Sequence, residues 1–127
     1  MKYVVDTHAL VWYFTNDSRL GKQALKILKE AEYGDHEILI SSIVLLEAID
    51  IAEKKKVRFQ MRHLFDFMDS RSNFRIVPLD SEWLRVILRT GRGLELHDRV
   101  IMTVAKTFRA HVLTKDTEIK GLTETIW

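Results

Sequence analysis

The residues whose chemistry stands out in this chain are four carboxylates. Asp6 ends the apolar run Tyr3, Val4, Val5, and Asp116 follows Val112, Leu113 and Thr114 in the same manner. Glu47 interrupts a largely apolar stretch, residues 43–52, and at helical spacing it shares a face with Ile43, Val44 and Ile51. Asp98 stands just ahead of the apolar-periodic run that starts at Val100. A carboxylate on an apolar face is costly unless it is paired or bound to a cation. Each of the four also has a plain structural reading. Asp6 can cap the helix that follows it. Glu47 can be a buried partner of an Arg or Lys. Asp98 can be a first-turn acid favoured by the helix dipole, and Asp116 a turn residue. Brought together, the four repel one another unless a hard divalent cation neutralises them. An oxygen-only set of this kind suits Mg²⁺ or Mn²⁺.

The elements that must position these acids follow from the pattern. Unbroken apolar runs predict strands at residues 2–5, 37–41, 74–79 and 111–114, with a last short strand at 125–127. Pro78 places the third at an edge or a strand end. Between them, helical spacing predicts a short helix after Asp6, and a second through Leu20 to Ala31 capped by Asp17 or Ser18. A third, over residues 43–56, is capped by Ser41 or Ser42 and closed by Lys54, Lys55 and Lys56; a fourth covers 60–69. A fifth is capped by Asp80 or Ser81, and a sixth covers 96–109. Residues 117–122 read as a turn or short helix. Strands alternating with helices predict a parallel α/β sheet with right-handed crossovers. The first strand, without polar alternation, is expected to be buried on both faces. In such sheets ligands sit beyond the carboxyl ends of the strands. Asp6 and Asp116 stand at such ends, Asp98 at a helix start on the same edge, and Glu47 one turn into the helix after the second strand.

The bulk numbers are compatible with this. The 127 residues, 46% of them hydrophobic, fit a single domain over residues 1–127 with a real core. There is no cysteine, which removes disulfides and thiolate metal sites and fits a reducing cytoplasm. No run approaches the ~20 apolar residues of a membrane span, so no membrane partner is expected. A formal charge of +2 is compatible with nucleic acid and does not demand it.

Four segments, in order, resemble the motifs of PIN-domain ribonucleases, of the kind found as toxins in VapBC-type toxin–antitoxin pairs. Val5-Asp6-Thr7-His8-Ala9-Leu10-Val11-Trp12 resembles the opening motif. Ile40-Ser41-Ser42-Ile43-Val44-Leu45-Leu46-Glu47-Ala48 resembles the second block, His97-Asp98-Arg99-Val100-Ile101 the third, and Leu113-Thr114-Lys115-Asp116 the fourth. Thr125-Ile126-Trp127 resembles the usual ending. One departure is that Glu95-Leu96 stands where many relatives carry Asp-Pro, so Glu95 is at most an accessory acid. The resemblance implies a three-layer α/β/α PIN-like domain around a mostly parallel sheet of four or five strands. It also implies metal-dependent endoribonuclease activity, with Asp6, Glu47, Asp98 and Asp116 holding Mg²⁺ or Mn²⁺ and Glu47, read as the least solvated, orienting a water. Thr7 and Thr114 are candidates to hydrogen-bond the acids, and His8 to touch phosphate. Arg92, between two glycines, and Arg99 are the candidates to hold RNA, while Lys54 to Lys56 read as ordinary helix C-terminal charge. The implied partners are an RNA substrate, a cognate antitoxin seated beside Trp12, Tyr13 and Phe14, and a second copy in a homodimer. Two alternatives share parts of the pattern. A phosphoacceptor receiver module needs adjacent acids after its first strand, where this chain has Thr7 and His8. An inactive PIN-fold binding module has no use for the intact acidic set.

Overall fold

The structure is a computed structural model and describes residues 1–54, 58–116, 119 and 123–127. Its elements run β1 (Lys2–Val5), α1 (Thr7–Phe14), α2 (Lys22–Glu32), β2 (Glu37–Ser41), α3 (Ser42–Glu53), α4 (Met61–Asp69), β3 (Phe74–Val77), α5 (Ser81–Arg89), α6 (Leu96–Phe108), β4 (His111–Leu113) and β5 (Thr125–Ile126). The strands form one sheet in the order β3-β2-β1-β4-β5, every pair parallel. Pro78 falls just after β3, which is an edge strand as the sequence indicates.

This order has a consequence for function. From β1 the chain steps outward to β2 and then β3, and afterwards returns past β1 to β4. Right-handed crossovers then put α1 to α4 on one face and α5 and α6 on the other, giving three layers. The reversal opens a crevice between β1 and β4, at their carboxyl ends, where parallel sheets bind ligands. Tyr3 of β1 aligns with His111 of β4, and Val5 with Leu113, so the residues after both strands emerge side by side.

The core explains why β1 has no polar alternation. Tyr3, Val4 and Val5 are 5%, 0% and 0% exposed, covered from both sides. Leu10, Leu28, Val44 and Leu64 fill one layer, and Ile101, Val104 and Ala105 of α6 fill the other. Phe14, Phe67 and Phe74 continue the first layer edge to face, with centroids 4.8 Å apart at each step. Trp83 of α5 stacks on Phe108 of α6.

Three local expectations need amendment. Helix α2 begins at Lys22 with Gly21 as its cap; Asp17 does not cap it, because its carboxylate is taken by the backbone and guanidinium of Arg19 at 2.8–3.0 Å. Helix α3 ends at Glu53, and Lys54 pairs with Asp50 one turn back. Trp12 is buried, and Tyr13 and Phe14 pack against the core, so the apolar surplus of α1 serves packing first. The expectation for residues 117–122 lies, apart from buried Ile119, outside the described residues, as do Lys55 and Lys56. No helix among the described residues is long and apolar enough to cross a membrane.

Candidate functional site

A cavity of about 430 Å³ is lined by Asp6, Glu47, Asp98 and Asp116, the four acids singled out from the sequence. Asp6 leaves β1 beside β4, its backbone N–H donating to the Leu113 carbonyl at 3.2 Å. It is indeed the cap of α1: Oδ1 accepts the Ala9 N–H at 2.9 Å. Its other oxygen accepts the Thr114 hydroxyl. That hydroxyl in turn accepts the Asp116 N–H at 3.0 Å. One threonine therefore ties the acid after β1 to the acid after β4. The capping reading of Asp6 holds, and the same side chain lines the cavity, so the cap does not exclude a functional reading. Thr7 is buried, with its hydroxyl unpaired among the described residues.

Burial raises the Asp6 carboxyl pKa above its ordinary value. The bonds from Thr114 and Ala9 and the nearby His8 and His97 pull it back in part. The lift therefore comes from desolvation.

Asp98 lies in the first turn of α6 and is only 4% exposed. Glu47 keeps 43% of its side chain exposed, with Oε1 2.7 Å from His97 Nδ1. That ring nitrogen lacks an aligned hydrogen bond, so the contact is a close polar approach that becomes an ion pair only where His97 is protonated. Two expectations change here. The least solvated acid of the four is Asp98 rather than Glu47, because Val44 and Ala48, both 0% exposed, occupy the face of α3 that packs inward and leave Glu47 on the flank. Glu47 finds a histidine, where the sequence reading named an Arg or Lys.

The remaining candidates divide. His8 and Glu95 line the cavity; Glu95 is the N-cap residue of α6, without a side-chain capping bond. Arg99 sends Nε to the Thr90 carbonyl at 2.7 Å and Nη2 to the Leu88 carbonyl at 2.8 Å, clamping the end of α5 to α6. Arg92 is exposed between Gly91 and Gly93, whose φ values of 67° and 95° are the left-handed region that glycine enters freely. Among the described residues neither arginine lines the cavity. Sequence reasoning gave no role to three residues that line it, His97, Lys115 and Trp127; Trp12, expected beside an antitoxin, lines it as well. For His97 and Lys115 the signal was present, since each stands next to a chosen acid. Trp127 was marked only as part of the ending Thr125-Ile126-Trp127, and it is the fold that brings it to the cavity.

As they stand, no three His, Asp or Glu side chains among the described residues are grouped to hold a metal ion. The donors nevertheless suit Mg²⁺ or Mn²⁺ in kind. All four are carboxylates, and Mg²⁺ keeps several of its waters while being held by one or two protein carboxylates.

A parallel sheet with strand-end acids gathered at its switch point defines an acid-centred α/β domain. The family model of the PIN domain matches residues 3–124, and the chain belongs to that family. Among solved structures it is similar to VapBC2 from Rickettsia felis, bound to a DNA fragment from their promoter, with 19% identity over 100% of this chain and 99% of that one at a TM-score of 0.69. It is also similar to a toxin-antitoxin complex from Klebsiella pneumoniae, with 22% identity over 98% and 96% at a TM-score of 0.67. A third is FitAcB from Neisseria gonorrhoeae, with 13% identity over 98% and 96% at a TM-score of 0.61. At these identities the likeness is one of fold. Comparison with curated proteins finds no match.

Proposed function

We propose that this chain is a Mg²⁺- or Mn²⁺-dependent endoribonuclease and the toxin of a toxin–antitoxin pair. The observation that carries the reading is that Asp6, Glu47, Asp98 and Asp116, from four separate segments of a PIN domain, line one cavity. Asp6, Asp98 and Asp116 would hold the cation, with Glu47 at the rim. When bound, the cation lowers the pKa of a water and offsets charge on the phosphate. Thr114 keeps Asp6 and Asp116 in register through its two hydrogen bonds. Glu47 is open enough to accept a proton from an attacking water, and its contact with His97 fixes where its carboxylate stands. Arg92, exposed in its turn, is the proposed contact to RNA phosphate outside the cavity.

The test is to incubate the purified chain with a structured RNA in Mg²⁺, in Mn²⁺ and in chelator, beside an Asp6→Asn control, and to sequence the RNA ends. New ends are expected only with metal and only with the native residue. Intact RNA in both metals overturns the reading.

The partners follow the same reading. An antitoxin is proposed because solved structures of this fold include toxin–antitoxin complexes. A homodimer is proposed because Leu84 and Leu88, one turn apart on α5, are 56% and 64% exposed, and Leu46 and Leu96 are as open. Light scattering is expected to give twice the chain mass; a monomer at high micromolar concentration removes the dimer.

A further inference from the structure

The cavity that holds the acids also has an aromatic wall, and phosphodiester hydrolysis gives that wall no task. His8, Trp12 and Trp127 form it. Trp12 is buried and acts as the support. The His8 ring lies against it with centroids 5.4 Å apart, Trp127 meets it edge-on at 5.7 Å, and the Arg19 guanidinium lies over it at 4.7 Å. The open ring surface therefore belongs to exposed His8 and half-buried Trp127.

Trp127 is firmly seated. Its carbonyl accepts the Gln23 N–H at 3.2 Å. It also passes so close to Gly21 that a Cβ there would stand 2.4 Å from the Trp127 carbonyl carbon and 2.6 Å from its Cδ1. Gly21 has φ −64°, open to any residue, so the absent side chain serves this close approach and not an unusual backbone. A ring held in place beside a phosphate-directed acid cluster has one evident complement in a nucleic acid. Unpaired bases stack on aromatic side chains whatever their identity, because every base has a π-face. Lys115 in the same wall offers a cation to the backbone of that nucleotide.

We propose that Trp127, flanked by His8 and backed by Trp12, is a stacking shelf for one unpaired nucleobase beside the scissile phosphate. This rests on the ribonuclease reading above and adds a positioning role for an aromatic residue. Bases in a duplex are already stacked on both sides and leave the shelf empty.

The experiment is a binding cycle in Mg²⁺ with the full chain carrying Asp98→Asn, so that the probe is not cut. The probe is a fluorescent single-stranded RNA oligonucleotide, intact or with one abasic position moved along its length. In that background Trp127→Ala is expected to weaken binding about 5–100-fold, and Trp127→Phe to bind close to the parent. Gly21→Ala, which displaces the ring from behind, is expected to follow Trp127→Ala. One abasic position should reproduce the loss with the native ring and add nothing when Trp127 is Ala. Equal binding by Trp127→Ala and its parent overturns the shelf, as does an abasic loss of the same size in both proteins. The abasic scan on the native ring requires no change at Trp127, so a misfolded Trp127→Ala protein does not shield the proposal: a flat scan overturns it. Cleavage by the unsubstituted chain separates the two levels. RNA cut with metal but a flat scan removes the shelf alone; RNA neither bound nor cut removes both.

Discussion

Asp98→Asn is expected to lower metal-dependent RNA cleavage about 10²–10³-fold, the loss that follows removal of one preorganised electrostatic contact to the reacting centre, and to leave the fold intact. Asn keeps the shape and much of the hydrogen-bonding capacity of Asp and removes the charge. At 4% exposure the Asp98 carboxylate has little water to solvate it, which is why removing its charge is expected to have a large effect at the proposed site. Asp6→Asn and Asp116→Asn are expected to act in the same direction. Asn is as good a helix cap as Asp, so Asp6→Asn should retain the bond from Ala9 and with it the start of α1. Cleavage rates are to be read beside circular dichroism and melting curves for each purified variant. Full activity in any folded variant removes that residue from the site. An unfolded variant instead gives the residue a structural role only.

The parts of this site that were legible in the sequence are those governed by local pattern. Asp6 and Asp116 could be placed because each stops an apolar run, and strand alternation with helices puts both stops on one edge of a parallel sheet. Pro78 marked the edge strand for the same local reason: it has no N–H to give to a ladder. What was illegible depends on tertiary neighbours. Asn16-Asp17-Ser18 carries every sign of a helix cap, and the chain uses Asp17 on Arg19 instead. Glu47 sits among apolar residues in sequence, but α3 turns Val44 and Ala48 inward and leaves Glu47 43% exposed. The charge balance of Asp6 was expected to come from neighbouring carboxylates, whereas burial dominates and two histidines oppose it. Spacing cannot supply such facts, since they belong to pairs distant in sequence such as Glu47 and His97; Thr114 as a partner of the acids, 108 residues from Asp6, came from the family resemblance and not from spacing.

The second large effect concerns stability, and it needs no knowledge of the RNA. The Asp6 carboxyl pKa is raised above its ordinary value in the folded protein, foremost by burial. The folded state then holds a proton that the unfolded chain releases at lower pH. Stability from this source is therefore complete below the unfolded pKa, about 3.9, and is lost as pH rises through the folded one. Above its folded pKa the metal-free protein carries a desolvated Asp6 carboxylate, which Asp6→Asn removes while keeping the cap. Metal-free Asp6→Asn is thus expected to melt above the unsubstituted chain at neutral pH, and the gap should close in acid, where Asp6 is protonated. On the proposed reading, Mg²⁺ or Mn²⁺ is expected to bind the folded chain in preference to the unfolded one. At saturation it is expected to stabilise the unsubstituted protein by on the order of 1–3 kcal/mol through mass action, and Asp6→Asn by less. The measurement is a set of melting curves for both proteins, with each metal and with chelator, at matched ionic strength and at acid and neutral pH. If neither metal moves the unsubstituted curve and Asp6→Asn lowers stability without metal, the carboxylates form no cation site. Asp6 then serves as the cap of α1, with Thr114 holding it there.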